Sequence, residues 1–185
     1  DGMDLLDGGE GDDVLFGGAG NDRCIANDWS EGPVHDVDLV DGGAGDDFIT
    51  AYGGSGVLIG GDGNDRIYSQ GDHLIYGGDG DDSALGGGVA YGGRGNDDLF
   101  GIELYGEEGD DRLGGGIHDA QIWGGEGNDT LRSGLGSDYL DGGPGNDTYM
   151  FEAGLGYEIF RGKSSEFEAS LVEDVLRDES GIDTI

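Results

Sequence analysis

The sequence predicts an all-β protein built as a parallel solenoid, a stack of short coils that add their strands to the same sheets. A hexapeptide rich in Gly and Asp recurs ten times along the 185 residues. An apolar residue follows each hexapeptide at a fixed offset, with the period of two that is expected of a strand. Because so short a unit cannot bury its single apolar side chain alone, the copies are expected to stack and to bury a continuous column.

Composition alone would favour a disordered chain. The sequence holds 45 Gly, carries a formal net charge of −34 and is 34% hydrophobic. Self-repulsion and the backbone entropy of glycine oppose folding, so the regular repeat needs a further source of stability. With eight Lys and Arg, the chain is excluded as a general nucleic-acid binder, and it has no apolar run long enough to span a membrane. The acidic excess favours binding of cations.

The ten hexapeptides begin at residues 8, 17, 42, 60, 77, 92, 106, 124, 133 and 142. Position 4 is always Gly, position 5 is Asp, Asn or Ser, and position 6 is always Asp. We interpret each unit as a six-residue turn followed by a three-residue strand whose eighth position points inward. The eighth positions are Leu15, Cys24, Ile49, Ile67, Ala84, Leu99, Leu113, Leu131, Leu140 and Tyr149.

The stacked turns predict an edge that binds metal ions. Glycine allows the positive φ angles of such turns and the close approach of neighbouring coils. Stacking also places one aspartate above the next at about 4.8 Å, where the carboxylates repel strongly unless a cation lies between them. Carboxylates and turn carbonyls are hard oxygen ligands, which favour calcium over magnesium or zinc.

The pattern GGxGxD, followed two positions later by a large apolar residue, resembles the repeats-in-toxin (RTX) family over residues 1–150. The resemblance implies a right-handed parallel β-roll in which about six to eight calcium ions lie between successive turns, held by sixth-position aspartates and turn carbonyls. It also implies a non-catalytic module of an extracellular protein that is exported by type I secretion machinery and folds on binding calcium outside the cell. The candidate metal ligands are Asp4, Asp13, Asp22, Asp47, Asp65, Asp82, Asp97, Asp111, Asp129, Asp138 and Asp147, with Gly18, Gly20, Gly43, Gly45, Gly61, Gly63, Gly78, Gly80, Gly93, Gly95, Gly109, Gly125, Gly127, Gly143 and Gly145.

The two edges of the solenoid are expected to differ. From residue 42 onward the complete turns follow each other at intervals of 18, 17, 15, 14, 18 and 18 residues, which places them on one edge. Apart from the hexapeptide at 133, the turns between them lack the sixth-position Asp, although an apolar strand residue still follows each one. Residues 26–41 form an insertion on that sparser edge. Calcium is therefore expected mainly along one edge. The apolar residues after the incomplete turns are Leu58, Ile75, Ala90, Leu104 and Ile122.

Three positions depart from the regular pattern. Asp4 fits the sixth position of a repeat whose beginning is missing, so we expect the chain to be a fragment. Glu107 replaces the second glycine of its turn, which makes the conformation of that turn uncertain. Asp138 lies on the sparser edge, where we expect at most a weak site.

Residues 151–185 are expected to cap the last coil. Phe167, Leu171 and Val175 are four residues apart, which predicts a short helix with Ser164 or Ser165 as its N-cap. The sequence stops at GIDTI without a terminating signal, which again suggests a truncated piece of a larger protein.

The residues that often carry other chemistry are expected to be structural. His35, His73 and His118 have no regular spacing and are interpreted as solvated turn residues, and Cys24 as a small buried one. No nucleophile or zinc motif occurs, so no catalytic residue is assigned.

An aromatic residue precedes the first glycine of the hexapeptide in four successive coils, at Tyr76, Tyr91, Tyr105 and Trp123. This outward column is interpreted either as a ladder that stiffens the sheet or as a surface for a glycan or protein partner. Two alternative functions stay open beside the calcium module. The chain could be a segment of an adhesin that uses the aromatic face, or the C-terminal module of a secreted protease, lipase or polysaccharide-modifying enzyme.

Overall fold

The protein is a parallel β-solenoid, seen here in a computed structural model. The structure describes residues 2–27, 36–86, 88–151, 159–161 and 164–169, the last two segments for their backbone alone. In these segments every regular element is a strand, and no helix has the length and apolarity needed to cross a lipid bilayer. The strands alternate between a first sheet of ten and a second sheet of nine, and all neighbours pair in parallel. The prediction of an all-β parallel solenoid is confirmed.

Odd-numbered strands form the first sheet and even-numbered strands the second. The first sheet contains β1 (Leu5–Asp7), β3 (Arg23–Asn27), β5 (Phe48–Tyr52), β7 (Arg66–Ser69), β9 (Ser83–Leu85), β11 (Asp98–Gly101), β13 (Arg112–Gly115), β15 (Thr130–Arg132), β17 (Asp147–Phe151) and β19 (Ser164–Ala169). The second sheet contains β2 (Val14–Ala19), β4 (Val37–Ala44), β6 (Ser55–Asp62), β8 (Asp72–Asp79), β10 (Val89–Arg94), β12 (Glu103–Glu108), β14 (Gln121–Glu126), β16 (Tyr139–Asp141) and β18 (Ile159–Arg161).

The core is a double column of inward side chains between the two sheets. Alternation along each strand sends every second residue inward, and the eighth-position residues from Cys24 to Tyr149 are buried as predicted, with Leu15 partly buried at the end of the stack. The residues that follow the incomplete turns, such as Leu58 and Leu104, are also buried. Each coil thus adds apolar area to a core that no single coil could form.

The strands of the second sheet from β2 to β14 are longer than the predicted three residues, at six or eight residues each. β4 and β6 each span eight residues and include the first three positions of the following hexapeptide. Gly43 pairs with Gly18 on one side and Gly61 on the other, so the paired glycines continue the ladder before the chain turns. The turn proper is therefore shorter than six residues.

The two edges are built as the repeat intervals indicate. We call the edge that joins each even strand to the next odd strand the acidic edge, and it holds the eight hexapeptides that begin at residues 17, 42, 60, 77, 92, 106, 124 and 142. The opposite edge carries the hexapeptides at 8 and 133 and the incomplete turns. The inserted segment is shorter than the predicted residues 26–41. Strand β3 continues to Asn27, and β4 already begins at Val37.

The predicted helix near Ser164 is not what the structure shows. Residues 164–169 form β19, which pairs in parallel with β17, so neither Ser164 nor Ser165 is an N-cap. The exposed edge of the last coil favours an added strand, which satisfies backbone groups that a helix would leave unpaired. Leu171 and Val175 lie outside the described residues.

One histidine contradicts the sequence-based interpretation. His73 is 1% exposed, and its Nδ1 lies 2.8 Å from the Ser69 hydroxyl, while burial lowers the pKa of its imidazole. Its alternation with buried Ile75 was the signal for an inward position. His118 is exposed as predicted, and His35 lies outside the described residues. Cys24 is fully buried, and burial raises the pKa of its thiol to about 11.

Candidate metal-binding edge

The sixth-position aspartates of the acidic edge form one hydrogen-bonded row. The Oδ1 atom of each aspartate accepts a bond from the backbone N–H of the sixth-position aspartate one coil before it, at 2.6 to 3.1 Å. Asp4 donates to Asp22 in the same way, which gives it the place of a sixth-position residue. One carboxylate oxygen of each residue is thus committed to holding neighbouring coils in register. The row is Asp4, Asp22, Asp47, Asp65, Asp82, Asp97, Asp111, Asp129 and Asp147.

The second carboxylate oxygen is buried and has no hydrogen-bond partner among the described residues from Asp22 to Asp147 in this row. It lies against the first glycine of its own turn, since a Cβ on Gly60 would be 2.3 Å from Asp65 Oδ2 and a Cβ on Gly92 2.1 Å from Asp97 Oδ2. A buried, unpaired carboxylate oxygen is costly, and eight of them in one line indicate a positively charged partner.

Carbonyl oxygens from the turn glycines also lie between the coils. Gly43 and Gly45 have φ angles of 108° and 126°, which side chains rarely adopt. A Cβ on Gly43 would be 2.2 Å from the carbonyl oxygen of Gly18, and a Cβ on Gly45 2.2 Å from that of Gly20. Both the backbone conformation and the spacing therefore require glycine, and they bring carbonyl oxygens to the interval between successive turns.

The carboxylates of the row have raised pKa values. Burial, followed by repulsion from the carboxylates of Asp65 and Asp97, raises the pKa of Asp82 to about 7. Burial is also the largest cause for Asp65, Asp97, Asp111 and Asp129, whose pKa values are raised to about 6. Packed side by side without a cation, these groups oppose ionisation.

We expect the chain in chelator to be more folded at about pH 5.5 than at about pH 7.5. A folded-state pKa above the ordinary value of about 3.9 means that the folded chain binds protons more tightly. This contribution to stability is complete below about pH 4 and is lost as pH rises through the folded pKa of about 6 to 7. Circular dichroism at the two pH values measures it. Asp82→Asn should reduce the difference and exposed Asp79→Asn should not, whereas a folded fraction that rises with pH would contradict the prediction.

A second, outer ladder explains why position 5 of the hexapeptide is always Asp, Asn or Ser. The Oδ1 atom of each fifth-position residue accepts from the backbone N–H of the next coil, as Asn64 does from Asp81 at 2.8 Å and Asp110 from Asn128 at 2.7 Å. Only a short side chain with an acceptor oxygen can make this bond. Each coil on this edge is therefore tied to its neighbours by two ladders that run in opposite directions.

On the opposite edge, two separate hydrogen bonds between a backbone N–H and an aspartate of the next coil replace the continuous row. Asp38 lies in β4, within the range that the sequence had assigned to the insertion, so the repeat pattern did not reveal it. Its Oδ1 accepts from the N–H of Asp13 at 3.1 Å. Near the C-terminal end of the same edge, the Oδ1 of Asp138 accepts from the N–H of Ala120 at 2.7 Å. The equivalent position one coil earlier is therefore an alanine and not an aspartate, as the sequence indicated. The Oδ2 atoms of Asp13 and Asp138 lack a hydrogen-bond partner in the described chain.

Glu107 adopts the turn conformation that a glycine would otherwise take. Its φ of 79° makes it the one non-glycine residue with positive φ in the described part of the chain. Turn 106–111 therefore keeps the geometry of the other turns at the cost of backbone strain.

Glu107→Gly should raise the free energy of unfolding in calcium by about 1 kcal/mol, because relief of the strain outweighs the added backbone entropy. Thermal unfolding measures the change. Glu108→Gly is the matched control, since it removes the same charge from the neighbouring strand position, where φ is not positive, and should lower stability. Equal effects of the two substitutions would mean that Glu107 carries no strain.

A parallel solenoid with a line of buried carboxylates along one edge and glycine carbonyls between its coils defines a calcium-binding β-roll. A family model described as the RTX calcium-binding nonapeptide repeat, in four copies, matches residues 1–28, 36–67, 89–101, 103–117 and 114–149. These ranges cover well over half of the chain, which therefore belongs to the RTX calcium-binding repeat family. A search of curated proteins finds no significant match. The chain is a calcium-binding repeat module, and this module is structural and not catalytic.

Proposed function

We propose that this chain is a calcium-triggered folding module whose ions lie between successive turns of the acidic edge. The observation that carries the proposal is the line of buried Oδ2 atoms without a hydrogen-bond partner among the described residues. Each interval between two turns is bordered by one such oxygen from each turn and by glycine carbonyls. The sixth-position aspartates and the second- and fourth-position glycines named above are the ligands that we assign.

The donor set fits a calcium ion. No three side chains of His, Cys, Asp or Glu converge in the part of the chain that the structure describes, so the carboxylates need carbonyl oxygens to complete a shell. Calcium accepts six to eight oxygens in a flexible arrangement, whereas zinc favours four nitrogen or sulfur ligands. Bound calcium would supply the positive charge that the buried carboxylates lack.

The proposed site converts repulsion into a link between coils. The eight turns of the acidic edge leave seven intervals, and one divalent ion in each would offset 14 of the 34 excess negative charges. Each aspartate borders the intervals before and after it, so neighbouring sites share ligands. Sharing makes formation of one coil favour formation of the next.

A crystal structure of the protein grown in calcium should show a single row of about six to eight ions along the acidic edge, since each stacked pair of oxygen-rich turns forms one site. Anomalous scattering identifies the ions. One additional ion between Asp13 and Asp38 is compatible with the proposal, because these residues also stack. Two comparable rows, or ions confined to the opposite edge, would contradict it.

The wider role follows from the family. RTX repeats are typical of secreted proteins, and we propose that this chain folds after export by type I secretion machinery and then stabilises the protein of which it is a part. Residues 151–185 would cap its C-terminal end, where β18 and β19 already extend the two sheets. The adhesin and enzyme-module alternatives differ in the domains next to this chain, and the flanking sequence distinguishes them.

A further inference from the structure

A groove runs along the corner where the outer face of the first sheet meets the opposite edge. It extends from Gly86, which follows β9, to Leu135, which follows β15, and it has a volume of about 440 Å³. The side chains of Phe100, Ile117 and Leu135 line the groove and are 44%, 73% and 40% exposed. A concave apolar surface of this size is typical of a binding site.

Glycine leaves the groove open at positions where the backbone does not require it. Gly114 and Gly116 have no positive φ angle, in contrast to the turn glycines of the acidic edge. Apart from its chain neighbours, the nearest atom to a Cβ on Gly116 would be 3.8 Å away, in the ring of Phe100, which is an ordinary contact. A larger side chain at position 116 would be compatible with the backbone but would fill the groove. Glycine there leaves room for an occupant.

The outer faces of the two sheets differ in charge. On the second sheet the rings of the outward aromatic column stack on each other, with centroids 4.6 to 5.2 Å apart, and the carboxylates beside them are those of Asp41, Asp72, Glu103 and Asp141. On the first sheet, strands β1 to β17 place four of the chain's eight Lys and Arg on the outer face against two carboxylates, those of Asp7 and Asp98. In a chain with a net charge of −34, this face attracts acidic groups. The four cationic residues are Arg23, Arg66, Arg112 and Arg132.

The groove takes its charge from Arg132, which lines it together with His118. The acidic residues next to the lining in sequence have hydrogen-bond partners elsewhere. Glu103 accepts a bond from the Tyr105 hydroxyl at 2.8 Å on the outer face of the second sheet. Asp119 accepts a bond from the backbone N–H of Ser137 at 2.9 Å, in the stack of turns on the opposite edge. Neither carboxylate lines the groove, so the lining favours an occupant that is apolar and acidic.

The chain leaves the last strand of the first sheet at the corner that the groove follows. Strands of this sheet end at the opposite edge, and Ala169, the last residue of β19, pairs with Phe151 of β17. The near end of the groove, at β15, is two strand spacings away, which is about 10 Å. Residues 170–185, which lie outside the described part of the chain, therefore start beside the groove.

The sequence of this segment, SLVEDVLRDESGIDTI, is both apolar and acidic. Ser170 and Glu173 match the S-x-x-E pattern that begins a helix, and Gly181 matches a helix end. A helix over 171–180 would be about 15 Å long, close to the groove length of three strand spacings or about 14 Å. Helical periodicity would place Glu173 and Asp178 on the two borders of an apolar face. That face would consist of Leu171, Val172, Val175 and Leu176.

We propose that residues 170–185 fold back along the corner and fill the groove. The apolar face of 171–176 packs on Phe100, Ile117 and Leu135, and an acidic border lies beside Arg132. Within the proposed cap, the last sixteen residues thus contact the coils of β9 to β15 from the side, which couples coils that are distant in the stack. The inference rests on the proposed function to the extent that the roll must be folded in calcium.

Thiol reactivity of the full chain at saturating calcium tests this contact. Cys24 is the single cysteine and is buried, so Ile117→Cys places one accessible thiol in the groove, and Val14→Cys, at a site 61% exposed on the second sheet, is the control. Alkylation at position 117 should be about ten times slower than at position 14, because it requires the segment to leave the groove. Val175→Asp combined with Leu176→Asp should abolish this protection at position 117 and leave position 14 unchanged.

Equal reactivity at position 117 with and without the two Asp substitutions would overturn the inference. If circular dichroism in calcium shows both chains folded, the proposed function would stand, whereas a chain that does not respond to calcium would contradict both. Protection that persists in the substituted chain and grows with protein concentration would assign the groove to a second copy. Protection that persists at every concentration would assign it to another part of the same chain. Either result contradicts the inference.

Charge reversal tests the contact with Arg132. Arg132→Glu should speed alkylation at position 117 about fivefold or more, because repulsion replaces attraction. Glu173→Arg together with Asp178→Arg should restore the protection in the Arg132→Glu chain. Arg23→Glu is the matched control, since Arg23 lies on the same outer face but in β3, three strands beyond β9. Equal effects of Arg132→Glu and Arg23→Glu, or failure of the restoring pair, would contradict the proposed contact.

Discussion

In chelator at neutral pH the chain is expected to be unfolded, and millimolar calcium is expected to convert it to a β-rich solenoid. The acidic edge explains both states. Its buried carboxylates have no positive partner in the described chain, and the formal net charge is −34. A core of about two inward residues per coil cannot offset both this repulsion and the entropy of 45 glycines. Ions in the seven intervals would remove the repulsion along the acidic edge.

Far-ultraviolet circular dichroism and small-angle scattering over a calcium titration measure this transition. An unfolded chain of this length should have a radius of gyration of about 45 Å, well above that of the folded form. Magnesium at the same concentration should be much less effective, because it demands a smaller and more regular shell. Sodium chloride at matched ionic strength should not substitute, since screening does not pair buried oxygens. A chain equally folded in chelator and in calcium would contradict the proposed function.

Asp97→Ala is expected to lower the free energy of unfolding in calcium by about 3 kcal/mol and to raise the calcium concentration needed for folding. Asp97 lies near the middle of the row, so its loss weakens the intervals on both sides. At calcium ten times above Kd, one site contributes about 1.4 kcal/mol. The hydrogen bond from Asp82 N–H to Asp97 Oδ1, at 2.8 Å, adds about 1 kcal/mol. Denaturant unfolding at fixed calcium gives the difference.

Two further variants separate the contributions at Asp97. Asp97→Asn keeps an oxygen to accept the bond from Asp82 but loses the charge, so it should be about 1 kcal/mol more stable in calcium than Asp97→Ala and should still shift the calcium midpoint. In chelator the same variant should be more stable than the parent, because one repelling carboxylate is gone. Asp138→Ala on the opposite edge should cost about 1 kcal/mol, through the unpaired N–H of Ala120, with little change in the midpoint. Equal midpoint shifts at Asp97 and Asp138 would mean that the two edges bind calcium alike.

Much of the fold could be predicted because the repeat is local. Within nine residues the sequence specifies which position turns and which points inward, so the burial of Ile49, Leu99 and Leu131 followed from counting. The assignment of turns to edges also followed, since intervals of 14 to 18 residues are one full coil. Even the sparse pairing of Asp138 could be deduced from the absence of Asp one coil earlier.

Other features depend on which residues the coils bring together across the stack. Asp38 pairs with Asp13 at a separation of 25 residues, a distance set by an insertion whose length breaks the period. The fifth-position ladder needs the side chain of one coil and the backbone of the next, so a single repeat contains only half of each bond. The strand at 164–169 was missed because helical spacing of three apolar residues competed with the pairing offered by β17.

The sequence by itself determined the repeating unit, the inward column, the acidic edge and the type of metal ion that its oxygens suit, because each of these depends on residue chemistry within one or two neighbouring units. Only the tertiary structure decided which carboxylate oxygen is bonded and which is left without a partner, that His73 is buried against Ser69, and that the stacked rings cover each other's faces. These features arise between coils, where spacing of about 4.8 Å and a register fixed by the whole stack set what each side chain meets.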